Sequence, residues 1–233
     1  CSSDLAQPPP LAADFSSLRI YGHHRFGTLL DLTLLDARQY REPEPGAPPP
    51  AEASRYSMLG EHQEAWFDRT MRDHKAHWSI IGQTILLSQR DLELGSGTCY
   101  GGDGWDDYRS GRERLLDSLR GSERINPLVI GGDLHAFYAA DVHAAHGRLV
   151  ATEFVTGSVT SDPPDTAAFD AVMAEDPHIQ FGNAQRHGYS VMHLAVDQAR
   201  IELIAVDPKS PEAEALKFQE FAVLDCYPGV NRV

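Results

Sequence analysis

Only three of the 233 residues are cysteine, Cys1, Cys99 and Cys226. They are too few and too scattered for a disulfide scaffold or a zinc site built from cysteine pairs. One Cys99–Cys226 bridge and two unrelated thiols stand as open readings. Basic residues are also scarce, 20 Lys and Arg against 34 Asp and Glu for a formal charge of −14, and no Lys/Arg cluster interrupts the acidic excess. That balance leaves no nucleic-acid-binding surface in evidence. No window approaches the roughly 20 apolar residues of a transmembrane segment, no internal repeat is visible, and the opening residues do not read as a signal peptide. The chain starts Cys1-Ser2-Ser3-Asp4, which is what lipoprotein processing leaves and equally what a cut inside a longer precursor leaves.

What is present suffices for one sizeable domain: 42% of the residues are hydrophobic, enough to bury a core. Residues 1–17 are Pro-rich and polar and read as a tether or processing junction, and residues 18–233 form the body. The most informative stretch is 126–138, NPLVIGGDLHAFY. Its apolar run, Leu128, Val129 and Ile130, suits a strand buried on both faces, and Gly131-Gly132 ends it. Asp133 and His135 follow with one residue between them, at the edge of an α/β sheet where ligands and metals sit. A hard oxygen donor beside a borderline nitrogen donor suits a metal that holds phosphate. The alternative is that Asp133 caps a following helix that contains His135.

Around this strand, alternation predicts two strands in 18–35, with Gly22 and the His23-His24 pair at a turn or bulge. The strand runs into Asp36-Ala37-Arg38-Gln39-Tyr40-Arg41. Arg38 and Arg41 either clamp a phosphate or anchor the loop by salt bridges. Residues 42–56 are a Pro- and Ala-rich loop. Helical spacing covers 58–74, and a strand is expected over 78–87, where a buried Gln83 needs partners and is a second-rank site candidate. A Gly-rich loop leads to Asp103, Trp105, Asp106, Asp107 and Tyr108, either an oxygen-rich rim or a turn that starts the helix 108–120. Ala-rich 136–145 suits a helix, 150–155 a strand, and the small residues 156–161 an anion-binding or hydroxyl-lined turn. Residues 167–174 read as a helix, and strands are expected over 189–196, 201–206 and 218–224.

These segments resemble the alkaline phosphatase D (PhoD) family of calcineurin-like metallophosphoesterases. The likeness rests on LLDLTLLDARQYR (29–41), MLGEHQEAWF (58–67), 78–86, GWDDY (104–108), NPLVIGGDLHAF (126–137), ATEFVTGSVTS (151–161) and PHIQFGNAQRHG (177–188), in family order across most of 18–206. The resemblance implies an α/β fold, a β sandwich flanked by helices with a binuclear or trinuclear metal centre, iron with calcium, at the strand ends. By it, Asp133 and His135 match the family's late metal ligands, Gln83 stands near the site, Trp105, Asp106 and Tyr108 near its mouth, and Arg38 serves as loop anchor or substrate contact.

The sequence also departs from the family. The early cysteine, the Gly-Asp-x-x-Tyr strand end and the Asp-Asp-His-Glu segment that supply the first ligands are absent. The expectation is therefore a C-terminal half that needs the N-terminal half of its precursor as a second chain, inactive alone. Completed, it would hydrolyse phosphate mono- or diesters by in-line attack of metal-activated water. Its place would be periplasmic or secreted, with a possible lipid anchor at Cys1. A truncated, non-catalytic binding lipoprotein and a phospholipase D-type diesterase are the alternatives.

Overall fold

The computed structural model describes residues 18–42, 56–97, 99, 104–121, 126–210 and 212–232. The tether at 1–17, the Cys1 anchor, Asp103 and most of the 42–56 loop lie outside them. Eleven strands are described: β1 Gly22–Phe26, β2 Leu30–Leu34, β3 Trp78–Gly82, β4 Asn126–Gly131, β5 Phe137–His143, β6 Leu149–Val155, β7 Ile179–Asn183, β8 His187–Leu194, β9 Gln198–Val206, β10 Leu216–Leu224 and β11 Tyr227–Arg232. Three α-helices join them: α1 Gly60–Arg72, α2 Arg109–Arg120, which continues a 3-10 turn over Trp105–Tyr108, and α3 Thr166–Glu175.

Seven strands form one sheet in the order β1-β2-β3-β4-β6-β5-β7, and β11-β10-β9-β8 form the other. β2, β3, β4 and β6 run parallel, so four chain segments leave the sheet at the same end. Both faces of the central strands are covered, which explains their unbroken apolar runs. On one face Trp78, Ile80, Leu128 and Phe154 meet Ile201, Leu203 and Phe221 of the smaller sheet. On the other Ile81 and Val129 meet Phe67 and Met71 of α1 and Leu115, Leu116 and Leu119 of α2. Each such fully buried side chain is worth about 1.5–3 kcal/mol. Trp78 also donates its indole N–H to the Ala195 carbonyl at 2.6 Å, tying the two sheets together.

Seven strands outreach four. On β2 the pattern is inverted: Asp31 and Thr33 are fully buried on the helix side, while Leu30, Leu32 and Leu34 on the other face are only half-buried.

Several expectations need correction. The Ala-rich stretch 136–145 contains strand β5, not a helix, because β6 and β7 flank it and hydrogen-bond both its edges. The same finding removes the helix that Asp133 was to cap. The strand expected over 78–87 stops at Gly82. His23 and His24 lie within β1, and the hairpin turns at Gly27, whose φ of 58° suits glycine. β7 and β11 were not foreseen. Cys99 and Cys226 are exposed free thiols, so they form no bridge.

Candidate active site

The tip of β4 is shaped by glycine and then by strain. A Cβ on Gly131 would lie 3.2 Å from the Ile85 carbonyl oxygen, a tight approach, so glycine lets the strand end close against the loop after β3. Asp133 (φ 72°) and His135 (φ 55°) then both take the left-handed backbone conformation. Such positions cost a non-glycine residue about 1–2 kcal/mol each and collect at functional sites. Both side chains are exposed.

Partners come from neighbouring strand ends. Asp36, just past β2, accepts hydrogen bonds at Oδ1 from the backbone N–H groups of Arg38 (3.0 Å) and Gln39 (2.9 Å). The Gln63 amide of α1 brackets the same turn, accepting from Asp36 N and donating to Asp36 O. This fixes Arg38, whose Nη2 lies 3.7 Å from Asp133 Oδ1. Asp36 is 3% exposed, and its Oδ2 has no hydrogen-bond partner among the described residues. His135 Nδ1 sits 3.0 Å from the Asp162 carbonyl oxygen. A carbonyl only accepts, so Nδ1 is the donor; in the neutral ring that leaves the lone pair on Nε2, the tautomer that a metal-ligating histidine needs.

Between these ends opens a cleft of about 330 Å³, lined by Leu35, Gln83, Thr84, Ile130, Gly131 and Thr156 among others. Gln83 is held from behind. Its Oε1 accepts the Trp105 indole N–H at 2.7 Å, and its Nε2 donates to Glu153 Oε1 at 3.3 Å. Glu153, fully buried on β6, also accepts the N–H groups of Leu87 and Ser88, each at 2.8 Å. Burial pushes the Glu153 carboxyl up from its ordinary range. Burial, with the Glu153 charge nearby, pushes the Tyr138 phenol up as well, and its hydroxyl pairs with Ser88 at 2.8 Å.

The structure therefore sets Arg38 beside Asp133, with His135 two residues further along the chain on the Asp162 carbonyl, while Gln83 walls a cleft at the tips of β2, β3 and β4 that these three side chains do not line. It does not bring the 105–108 segment to a mouth. Trp105 and Tyr108 are each 1% exposed and packed in the helix-side core, and the Tyr108 hydroxyl donates to the Glu42 carbonyl. Asp106 accepts from Arg90 N at 3.3 Å, and burial raises its carboxyl. Of the three, Trp105 supports the cleft wall from behind, through Gln83. Gln63 and Glu153 were missed: each acts across 27 residues or more and leaves no local spacing signal, whereas the Asp36 turn is local and only its role in setting Arg38 went unread.

Two donors at the tip fit a share of a metal centre and do not complete one. Among the described residues no three His, Cys, Asp or Glu side chains gather into a metal-binding group.

Alkaline phosphatase D of Bacillus subtilis (strain 168) is 32% identical over 185 residues, 74% of this chain and 32% of that protein. A solved structure described as "Structure of PhoD" superposes with a TM-score of 0.84 at 27% identity, covering 93% of this chain and 44% of the other. The chain thus spans less than half the length of either relative. Residues 8–203 match the family described as PhoD-like phosphatase, and on that extent of agreement the chain belongs to the PhoD-like phosphatase family.

Proposed function

We propose that this chain carries the Asp133–His135 side of a metal-dependent phosphoric ester hydrolase, acting on phosphate mono- or diesters once a segment outside it supplies the remaining donors. The observation that carries the reading is the tip of β4, where an exposed carboxylate and, two residues on, an exposed imidazole held through Nδ1 both sit on left-handed backbone just past one of four parallel strands.

When bound, the metals would polarise phosphate oxygens and lower the pKa of the attacking water. Asp133 and His135 would hold them; the carboxylate suits calcium and the imidazole suits iron. Arg38, set by the Asp36 turn, is placed to bind phosphate oxygens through its planar fork. Gln83 and the Glu153 network hold the cleft wall rigid, so that substrate is oriented by a surface that does not relax.

The completing segment is expected from the N-terminal half of the same precursor. One observation supports it: both relatives extend well beyond the span of this chain.

The test is Asp133→Asn in the full-length protein, with p-nitrophenyl phosphate and bis-p-nitrophenyl phosphate as substrates. Hydrolysis should fall by more than the roughly 10–100-fold that loss of an outer partner of a ligand costs. Bound metal should fall with it, and the unfolding temperature should stay unchanged. Undiminished turnover would remove Asp133 from the site and the reading with it.

A further inference from the structure

The cleft at the strand tips is lined mainly by apolar groups. Leu34, Leu35 and Ile130 supply side chains, while Gly82 and Gly131, at the ends of the paired strands β3 and β4, add none. Of the three polar residues that join them, Thr156 spends its hydroxyl proton on Ser190 Oγ at 2.8 Å, and Thr84 is exposed. The third, Gln83, is nine-tenths buried; its Oε1 takes the Trp105 indole N–H, and one amide N–H goes to Glu153. A primary amide carries two N–H bonds. The second has no hydrogen-bond partner among the described residues. An apolar lining with one placed donor is the make-up of a small-molecule site, and about 330 Å³ stands at the small end of such sites.

The cleft borders the proposed reaction centre through the chain itself. Gly131 lines it and Asp133 follows two residues later, so their Cα atoms are at most about 7 Å apart. Leu35 lines it from the end of β2, and the next residue, Asp36, builds the turn that sets Arg38 3.7 Å from Asp133. A phosphate held between Arg38 and the β4 tip therefore has the cleft as its neighbour. The wall is also braced: the fully buried Glu153 holds Gln83 and is itself held by the Leu87 and Ser88 amides. Keeping a carboxyl group there is costly. Packing against another chain segment does not require that cost, and a fixed donor does.

Building on the phosphoesterase reading, we infer that the cleft takes a short unbranched alkyl group of the ester. The chain leaves water for Leu34, Leu35 and Ile130, and Gln83 donates its second N–H to an oxygen of the bound ester. The cleft selects substrate and makes no bond.

Alkylphosphonates test this, because they carry a P–C bond in place of the ester and bind without turnover. In the full-length protein they are assayed as competitive inhibitors of whichever ester it hydrolyses, p-nitrophenyl phosphate or bis-p-nitrophenyl phosphate. A methylene wholly withdrawn from water is worth about fourfold in binding. Butylphosphonate should therefore inhibit at a concentration roughly tenfold or more below that of methylphosphonate, with about 60-fold as the ceiling. Thr84→Trp sets an indole at an exposed position of the lining and should shrink that ratio to less than about threefold, under the worth of one methylene. A ratio near one in the parent, as expected where a segment outside this chain fills the cleft, overturns the inference and leaves the phosphoesterase reading standing. A ratio that Thr84→Trp leaves unchanged does the same. If the parent hydrolyses neither ester, that reading fails and this inference falls with it.

Discussion

Replacing Asp31 by Asn tests how this sheet tolerates a buried charge. Asp31 is fully buried in the middle of β2. Arg25 reaches both its oxygens, Nε to Oδ1 at 2.7 Å and Nη2 to Oδ2 at 2.9 Å, and the amides of Lys75 and Ala76 add bonds at 3.2 and 3.3 Å. His74 Nδ1 lies 3.0 Å away, but burial lowers the His74 pKa, so the counter-charge is Arg25. Burial alone would raise the Asp31 carboxyl; the guanidinium and the two amides outweigh it and hold it down at about 2. Against an unfolded value near 3.9, nearly two pH units at about 1.4 kcal/mol each give roughly 2.5 kcal/mol. The half-exposed Arg25 trims this to about 2 kcal/mol. A carboxyl more acidic when folded stabilises fully above pH 4 and loses that contribution as pH falls toward 2. In urea titrations the Asn variant should therefore be about 2 kcal/mol less stable at pH 7, with the gap closing between pH 4 and 2. A variant as stable as the parent at pH 7, or a gap that persists in acid, would refute the assignment.

Two further outcomes follow from packing. Gly188→Ala forces a methyl group into the Ile204 carbonyl at a φ of 154°, and calorimetry should show a loss of about 3 kcal/mol or more. Gln83→Leu leaves the Trp105 indole N–H without its acceptor; urea unfolding should register about 1–3 kcal/mol, and the near-ultraviolet dichroism of the buried indole should weaken.

The parts of this architecture visible in the sequence are those whose signals are local. The apolar triplet 128–130, the Gly-Gly stop and the Asp-x-His pair lie within eight residues, and the spacing of Phe67 and Met71 or of Leu115 and Leu119 betrays a helix face. β5 was hidden because a central strand buried on both faces shows no alternation, and its alanines mimic helix composition. β11 was hidden by Pro228 and Gly229, which read as turn signals but are tolerated in a strand at a sheet edge. Trp105 and Tyr108 looked like a rim because aromatic residues beside carboxylates fit either role; only the 22-residue reach from Trp105 to Gln83 decides it.

The left-handed backbone at positions 133 and 135 governs which exchanges the tip can absorb. Glycine and asparagine enter that conformation cheaply, alanine less so, and valine or isoleucine hardly at all. An Asn or Gly at 133 would strip the charge and keep the bend. A β-branched residue would distort the bend itself and imitate a chemical lesion. Variation at this corner thus reports chain curvature before it reports reactivity, and only swaps within the Asp, Asn and Gly set tell the two apart.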